Sequence, residues 1–220
     1  MTASKKTHKP RWRIFGLILG LSLSQLGIMQ AGFAYNVYTT DGDPTIPLRW
    51  FSDTVEYVVS DISIPEVETA ALITIAQQGF DAWQEGTECT PELRFAGTTT
   101  QEKASFTVGC ENQNTLVFLT SKSAWSQQGH SSLEIGKTTL MFSEETGEIV
   151  DADIELNAGG FTFSTGEVTD GSIDLLNTVT HEVGHFLGMD HSVDKEATMY
   201  AQAPPEETKK RSLEDDDLAG

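Results

Sequence analysis

The chain has 220 residues, of which 14 are basic and 33 acidic, so its net charge is −19 at pH 7. A chain this acidic is poorly suited to nucleic acid or an anionic membrane surface, because both attract basic proteins. The length suffices for a domain with a substantial apolar core, and the sequence contains no internal repeat or low-complexity linker.

Residues 1–34 have the layout of a secretory signal peptide. A basic head precedes a mostly apolar run over residues 14–29, and small residues lead to Ala34. The head contains Lys5, Lys6, Lys9, Arg11 and Arg13. A membrane anchor is the alternative, but the run is short for a span of about 20 apolar residues. We expect cleavage after Ala31 or Ala34, no stable membrane span, and a secreted protein, extracellular or periplasmic.

Residues 35–220 form one predicted domain, which retains nine basic residues against 33 acidic ones. We expect a monomer that binds no nucleic acid. Cys89 and Cys110 both lie in this exported part, where an oxidising compartment favours their pairing. A disulfide that closes about 20 residues would stabilise the fold by roughly 3 kcal/mol. Two free buried thiols are the alternative.

Alternating and helical apolar periods predict a strand, a helix, four further strands and two helices. The first helix follows Pro65 and carries an apolar stripe that we interpret as core. The predicted strands cover residues 48–59, 91–96, 115–120, 138–142 and 149–156, and the predicted helices cover 65–83, 172–187 and 213–220. Because the sequence stops at Gly220, we expect the last helix to be cut short.

Residues 181–191, His-Glu-Val-Gly-His-Phe-Leu-Gly-Met-Asp-His, are typical of a catalytic zinc site. His181 and His185 are four residues apart, so on a helix they lie on one face and can bind the same cation. Glu182 stands beside the metal without having to bind it, which is the position of a general base. Three histidines placed by chance are the alternative, which this spacing disfavours.

His191 can join the site only if the helix breaks. On a straight helix it would lie about 9 Å beyond His185 and about 120° around the axis. Gly188 can end the helix in the left-handed conformation, so that His191 completes a three-histidine site with a fourth position for water. A distant glutamate as third ligand is a further alternative, which the spacing of Gly188 and His191 disfavours.

These residues resemble the H-E-x-x-H-x-x-G-x-x-H signature of the metzincin metallopeptidases, and Ser192 with Ala197-Thr198-Met199-Tyr200 resembles the matrixin branch. Asp151-Ala152-Asp153-Ile154 resembles the fifth strand of that family. The resemblance implies an α+β, zincin-like catalytic domain with a five-stranded mixed twisted sheet and about three helices. It implies zinc in the cleft between an upper and a lower subdomain, with Met199 in a tight turn beneath the metal.

Other features implied by the resemblance concern supporting residues. Asp216 and Asp217 resemble the aspartate pair that ties down the mature N-terminus and the methionine turn. Candidate structural-calcium ligands are Asp151, Asp153 and Glu155, which share one face of a strand, although carboxylates facing water explain them equally well. An extended substrate is expected to pair with the edge strand formed by Thr138, Thr139, Leu140, Met141 and Phe142.

The chain departs from the family pattern in three places. No cysteine of an inhibitory propeptide precedes the first strand, so we expect no such latency device. His130 is the only histidine where vertebrate members hold a second zinc, so we expect that site to be absent and His130 to be a surface or loop residue. In the family, a proline and a second tyrosine are common in the wall of the pocket that receives the substrate residue after the scissile bond. Ala201-Gln202-Ala203 lacks both, so the family's preference for the side chain of that substrate residue cannot be carried over.

The sequence therefore predicts a secreted zinc-dependent endopeptidase that cleaves peptide or protein substrates, with Glu182 as the base. A non-hydrolytic zinc-containing binding or adhesion module is the alternative. Loss of the glutamate would mark such a module, and Glu182 is present.

Overall fold

The computed structural model describes residues 34–65, 67–87, 90–108, 110, 112–169 and 171–220, together with a strand at Trp12–Phe15. The remainder of the predicted signal peptide and the bond after Ala31 lie outside these residues. Within the described part of the chain, every helix is too short or too polar to cross a lipid bilayer.

The described residues contain eleven strands and four α-helices. The strands are β1 (Trp12–Phe15), β2 (Asn36–Val37), β3 (Arg49–Trp50), β4 (Thr54–Ser60), β5 (Glu92–Thr99), β6 (Asn114–Phe118), β7 (Gly136–Ser143), β8 (Glu148–Leu156), β9 (Phe163–Ser164), β10 (Ile173–Asp174) and β11 (Met189–Asp190). The helices are α1 (Thr69–Gly86), α2 (Lys122–Gln127), α3 (Leu175–Phe186) and α4 (Asp215–Leu218).

Five long strands form the centre of one sheet in the order β7-β8-β6-β4-β5. Neighbouring strands are parallel except β7, which runs antiparallel to β8. β1 extends the sheet beyond β7, and the short β3 pairs with β8. The predicted five-stranded mixed sheet is thus confirmed, with two short strands added to it.

The predicted helices are confirmed with shifted ends, and α2 is an addition. α1 begins at Thr69 because Ile64 and Val67 first close a small turn by a β-bridge. α2 has six residues, is capped by the Ser121 hydroxyl and buries only Trp125. A helix of fewer than two turns leaves too few apolar positions to show a helical period.

The core lies between the sheet and the pair α1 and α3. The stripe predicted on α1 is its buried face, where Leu72, Phe80 and Trp83 are at most 2% exposed. Burying each such large side chain contributes about 1.5–3 kcal/mol. The Trp83 indole also donates a hydrogen bond to the Thr180 carbonyl at 2.8 Å, which fixes α1 against the helix that carries the histidines.

The predicted disulfide is not seen. Cys110 is an exposed free thiol on a surface turn, and Cys89 lies outside the described residues.

Gly188 ends α3 as the sequence predicts. Its φ is +103°, and its N–H donates to the His185 carbonyl at 2.9 Å, which closes the last turn of the helix. A Cβ added at Gly188 would lie 2.4 Å from the Leu48 carbonyl oxygen. Both the backbone conformation and the close neighbour therefore require glycine.

Gly188→Ala should lower the free energy of unfolding by about 1–3 kcal/mol, because alanine is strained in this conformation and meets the Leu48 carbonyl. Thermal unfolding would measure the loss. Gly42→Ala is the matched control, since nothing lies within 4 Å of a Cβ at that position. Equal melting temperatures for the two variants would contradict this account.

Candidate metal centre

Three imidazoles converge next to the end of α3. His181 and His185 come from α3, and His191 directly follows β11. One ring nitrogen from each lies within 4.8 Å of the others, and the Nε2 atoms of His185 and His191 are 3.2 Å apart. Among the described residues this is the one group of three or more such side chains able to hold a metal ion.

Backbone carbonyls set the orientation of two of the rings. His181 Nδ1 lies 2.7 Å from the Thr198 carbonyl, and His185 Nδ1 lies 2.8 Å from the Met189 carbonyl. A carbonyl only accepts, so each Nδ1 is the protonated nitrogen and the Nε2 lone pair is left for a ligand. These rings are held in the tautomer that a metal ion needs.

Burial keeps the imidazoles neutral. It lowers the pKa of His185 to about 3, lowers the pKa of His191, and holds the pKa of His181 well below its usual range. The rings also repel each other's positive form, which adds to the effect at His181 and His185. Neutral imidazole is the form that binds a cation, so no proton has to be displaced near neutral pH.

The segment around β2 positions the third imidazole. β2 pairs with β11, and the Asn36 side chain donates to the His191 carbonyl at 2.9 Å. Tyr38 stacks on the His185 ring, and its hydroxyl lies 3.0 Å from Nδ1 of that ring. Sequence reasoning missed this role for Asn36 and Tyr38, because no pattern in so short a strand, or in the residue after it, identifies a distant partner.

Met199 lies in a tight turn next to the triad. The Tyr200 N–H donates to the Ala197 carbonyl at 3.1 Å, and Met199 is fully buried. Asp217 accepts the N–H groups of Thr198 and Met199 at 2.8 and 2.9 Å. The turn that carries the Thr198 carbonyl against His181 is therefore anchored from α4.

Asp216, the other aspartate of the pair, ties the N-terminal segment to the same region. Its carboxylate accepts the Ala34 N–H and the Ser192 hydroxyl, the latter at 2.6 Å. These contacts match what the resemblance implies for the aspartate pair. Through Asp216, Ala34 is joined to α4.

Glu182 lines the same cleft as the triad, and its side chain is tightly packed. The residue is 5% exposed, and Oε2 accepts a hydrogen bond from the Thr138 hydroxyl at 2.6 Å. A Cβ at Gly136 would lie 2.6 Å from Oε1, so a larger residue there would have to displace this carboxylate. Burial raises the pKa of Glu182 to about 7, against the opposing effects of the Thr138 hydrogen bond and the nearby Lys137.

A cleft opens in front of these groups. It is bounded by the start of β7, by the triad, and by the wall at residues 201–203. Lys137 and Lys210 also line it, and they are 5% and 1% exposed. No motif in the sequence marks these two lysines, because their proximity to the triad arises from segments distant along the chain.

The predicted substrate edge is partly occupied. β1 pairs with β7 from Leu140 to Ser143, so Leu140, Met141 and Phe142 already have a strand beside them. In the described part of the chain, the outer edge of β7 is left without a neighbouring strand only from Gly136 to Thr139. That open stretch is the part that lies next to Glu182.

The candidate calcium ligands do not converge on one point. Asp151, Asp153 and Glu155 share a strand face as predicted, but all three are buried and they form no metal-binding group. Asp153 accepts the N–H groups of Ser105 and Thr115 at 2.9 Å. Asp153 therefore fastens the loop at Ser105 to the sheet, and Glu155 does the same at the neighbouring Ala104.

One partner of Glu155 is His130. The ring nitrogen lies 2.7 Å from Oε2 of Glu155, and the Ala104 N–H donates to Oε1 at 2.9 Å. The sequence predicts a surface or loop residue at His130. The structure places it in a loop but leaves its side chain only 8% exposed, because Glu155 and Trp125 enclose it.

Comparison with known proteins identifies a family and two relatives. The family model for matrixins matches residues 49–220. Metalloendoproteinase 1 of Glycine max is 36% identical over 74 residues, which cover 32% of this chain and 24% of that protein. Metalloendoproteinase 1-MMP of Arabidopsis thaliana is 47% identical over 49 residues, which cover 22% of this chain and 13% of that protein. The chain thus spans about a quarter or less of these relatives.

The matrixin match implies zinc, and the donor set fits it. Zinc binds imidazole nitrogen readily, and catalytic zinc sites use three protein ligands and leave one position open. Here three neutral imidazoles meet at a cleft, and two of them have their second nitrogen fixed by a carbonyl. Such support of the ligand rings is typical of protein zinc sites.

Asp151→Asn should stabilise the protein at pH 8. The Asp151 carboxylate has no hydrogen bond within the described residues, and burial raises its pKa from 3.8 to about 8. The folded state therefore binds this proton more tightly, so stability falls as pH rises from 3.8 towards 8. Asparagine removes that loss, and the melting temperature should rise by roughly 2–4 °C at pH 8 but not at pH 4.

The exposed Asp61→Asn is the control and should change neither melting temperature. Repeating the pH 8 measurement with calcium tests the predicted ion. If Asp151 held calcium, the wild type would gain stability on calcium addition and Asp151→Asn would not.

Proposed function

Because this chain belongs to the matrixin family, we propose that it is an exported zinc-dependent endopeptidase that cleaves peptide or protein substrates with Glu182 as general base. The observation that supports this most directly is the convergence of three neutral imidazoles beside a buried carboxylate. A structural metal site needs no such base, whereas hydrolysis does.

His181, His185 and His191 would hold the zinc ion. Zinc bound there supplies a Lewis acid that lowers the pKa of water and polarises the scissile carbonyl. The carbonyls of Thr198 and Met189 fix two of the rings, so their Nε2 lone pairs would be available to the ion.

Glu182 moves the proton. Its carboxylate takes a proton from the attacking water and passes it to the nitrogen of the departing amine. A base works best when its pKa lies near the working pH, and burial raises the pKa of Glu182 to about 7. Thr138 holds Oε2, so Oε1 is the oxygen left for the proton.

The open edge of β7 would bind the substrate backbone. An extended peptide can add to an exposed sheet edge through main-chain hydrogen bonds. Residues Gly136–Thr139 offer that edge next to Glu182, and β1 covers the rest. Cleavage of a signal peptide would remove β1 and lengthen the edge to include Leu140, Met141 and Phe142.

The contacts of Ala34 favour one of the two predicted cleavage sites. Asp216 accepts the Ala34 N–H, and the Ser192 hydroxyl donates to the Ala34 carbonyl at 3.3 Å. Cleavage after Ala31 retains these contacts, whereas cleavage after Ala34 removes the residue that makes them. We therefore propose residues 32–220 as the mature form of this part of the protein.

Glu182→Ala should retain zinc and lower peptide hydrolysis by about 10²–10⁴-fold, because the ligands remain while the proton carrier is lost. Fluorogenic-peptide kinetics would be paired with metal analysis of the same sample. The exposed Glu102→Ala serves as control. A wild type that binds zinc but cleaves no peptide would support the non-hydrolytic binding module instead, and full activity in Glu182→Ala would exclude the assigned base.

Thr138→Val should shift the acid limb of the kcat/KM profile to higher pH. The Thr138 hydrogen bond lowers the pKa of Glu182, so its loss raises that pKa. Because the base acts when deprotonated, activity then appears only at higher pH. Thr139→Val, which has no hydrogen bond to Glu182 to lose, should leave the pH of this limb unchanged. Superimposable profiles for all three proteins would show that Thr138 does not tune the base.

A further inference from the structure

Lys210 is a charged side chain that lines the cleft. It lies in a 3-10 turn, Lys209–Arg211, whose backbone is fixed by the Asn177 side chain accepting the Lys210 N–H at 2.7 Å. The residue is 1% exposed, yet it lines the same cleft as the triad. The backbone of Lys210 is therefore held by a contact that does not involve its ammonium group.

The ammonium group of Lys210 lacks a close counter-charge. It donates to the Tyr200 carbonyl and lies 6.0 Å from the centre of the Tyr200 ring. Within the described residues no carboxylate oxygen is within 4.0 Å of it, and the carboxylates that act on it from further away are Glu207, Glu182 and Asp217. By contrast, the other buried lysine, Lys137, has Glu134 at 3.9 Å.

A buried ammonium with one carbonyl partner carries a desolvation cost that an anion would offset. Lysine retains two further N–H donors in this arrangement. The cleft leaves space for a ligand, and small or polar side chains form part of its wall. These lining residues are Asn177, Thr178, Ala201, Gln202 and Ala203.

We propose that Lys210 binds a carboxylate of the peptide substrate, supplied by an aspartate or glutamate directly after the scissile bond. We place the carboxylate on the residue directly after the scissile bond because Lys210 and the wall at 201–203 line the same cleft. The family resemblance implies that this wall surrounds that substrate residue. This inference rests on the proposed peptidase function. A free C-terminal carboxylate of a short substrate offers the same chemistry and is separated by the experiment below.

A purely structural role for Lys210 makes a different prediction. If the side chain only holds the Tyr200 carbonyl, its removal would loosen the wall for every substrate alike. A carboxylate-binding role affects only substrates that carry the anion. The ratio of two kcat/KM values therefore separates the two roles, whereas either value alone does not.

The experiment compares peptides that differ at one residue. Three substrates with amidated C-termini carry Glu, Gln or Leu directly after the scissile bond, and a fourth is a neutral peptide that ends at that residue with a free carboxylate. Wild type, Lys210→Met and the neighbouring half-buried control Lys209→Met are assayed, with cleavage sites read by mass spectrometry. Methionine keeps the length of the side chain and removes its charge.

In the wild type we expect kcat/KM for Glu to exceed that for Gln by about 10- to 100-fold, the range of a charge-assisted hydrogen bond. Lys210→Met should reduce the ratio to near one, and Lys209→Met should leave it unchanged. Faster cleavage of the fourth peptide than of the Glu peptide would overturn the side-chain assignment and assign the carboxylate to the chain end.

The possible failures are distinguishable. No cleavage of any peptide by the zinc-loaded wild type would count against the proposed peptidase function itself. Cleavage with equal rates for Glu, Gln and Leu would overturn only the role of Lys210, even if Lys210→Met does not fold. An equal loss for all substrates in a folded Lys210→Met would assign the residue to the structural role.

Discussion

The site depends on one reversal of the backbone. α3 carries two imidazoles on one face, and a third must approach from a segment that leaves the helix axis. Gly188 makes this possible because its φ of +103° ends the helix where a side chain would meet the Leu48 carbonyl. The reversal brings the Nε2 atoms of His185 and His191 to 3.2 Å. Hydrogen bonds to the Thr198 and Met189 carbonyls and from the Asn36 side chain hold that geometry in place.

Much of this support comes from backbone groups and from both ends of the described domain. The carbonyls of Thr198 and Met189 orient two rings, and α4 anchors the turn that contains Thr198. Asp216 joins α4 to Ala34 at the other end. Such a network couples the metal ligands to segments distant in sequence, so disturbance of either terminus should reach the imidazoles.

The distribution of charge within the fold contrasts with the overall composition. Acidic residues dominate the chain, yet the cleft contains two buried lysines, and one of them has no close carboxylate in the part that the structure describes. Two of the buried carboxylates on β8 accept hydrogen bonds from backbone amides. Net charge excludes classes of partner, but local charge decides what the cleft can accept.

The sequence by itself determined the metal-binding motif, the helix that presents it and the glycine that ends that helix. These follow from local rules, since ligand spacing and backbone conformation are set within a few residues. It also determined the five long strands of the sheet, because short apolar and alternating runs are typical of strands. Only the tertiary structure decided that Thr138 and Gly136 surround Glu182, that Asn36 holds His191, and that Lys210 reaches the cleft. The contacts of Glu182 and His191 join residues that are 44 or more positions apart, and Lys210 reaches the cleft from a separate segment. The apolar period of a single segment carries no information about such partners.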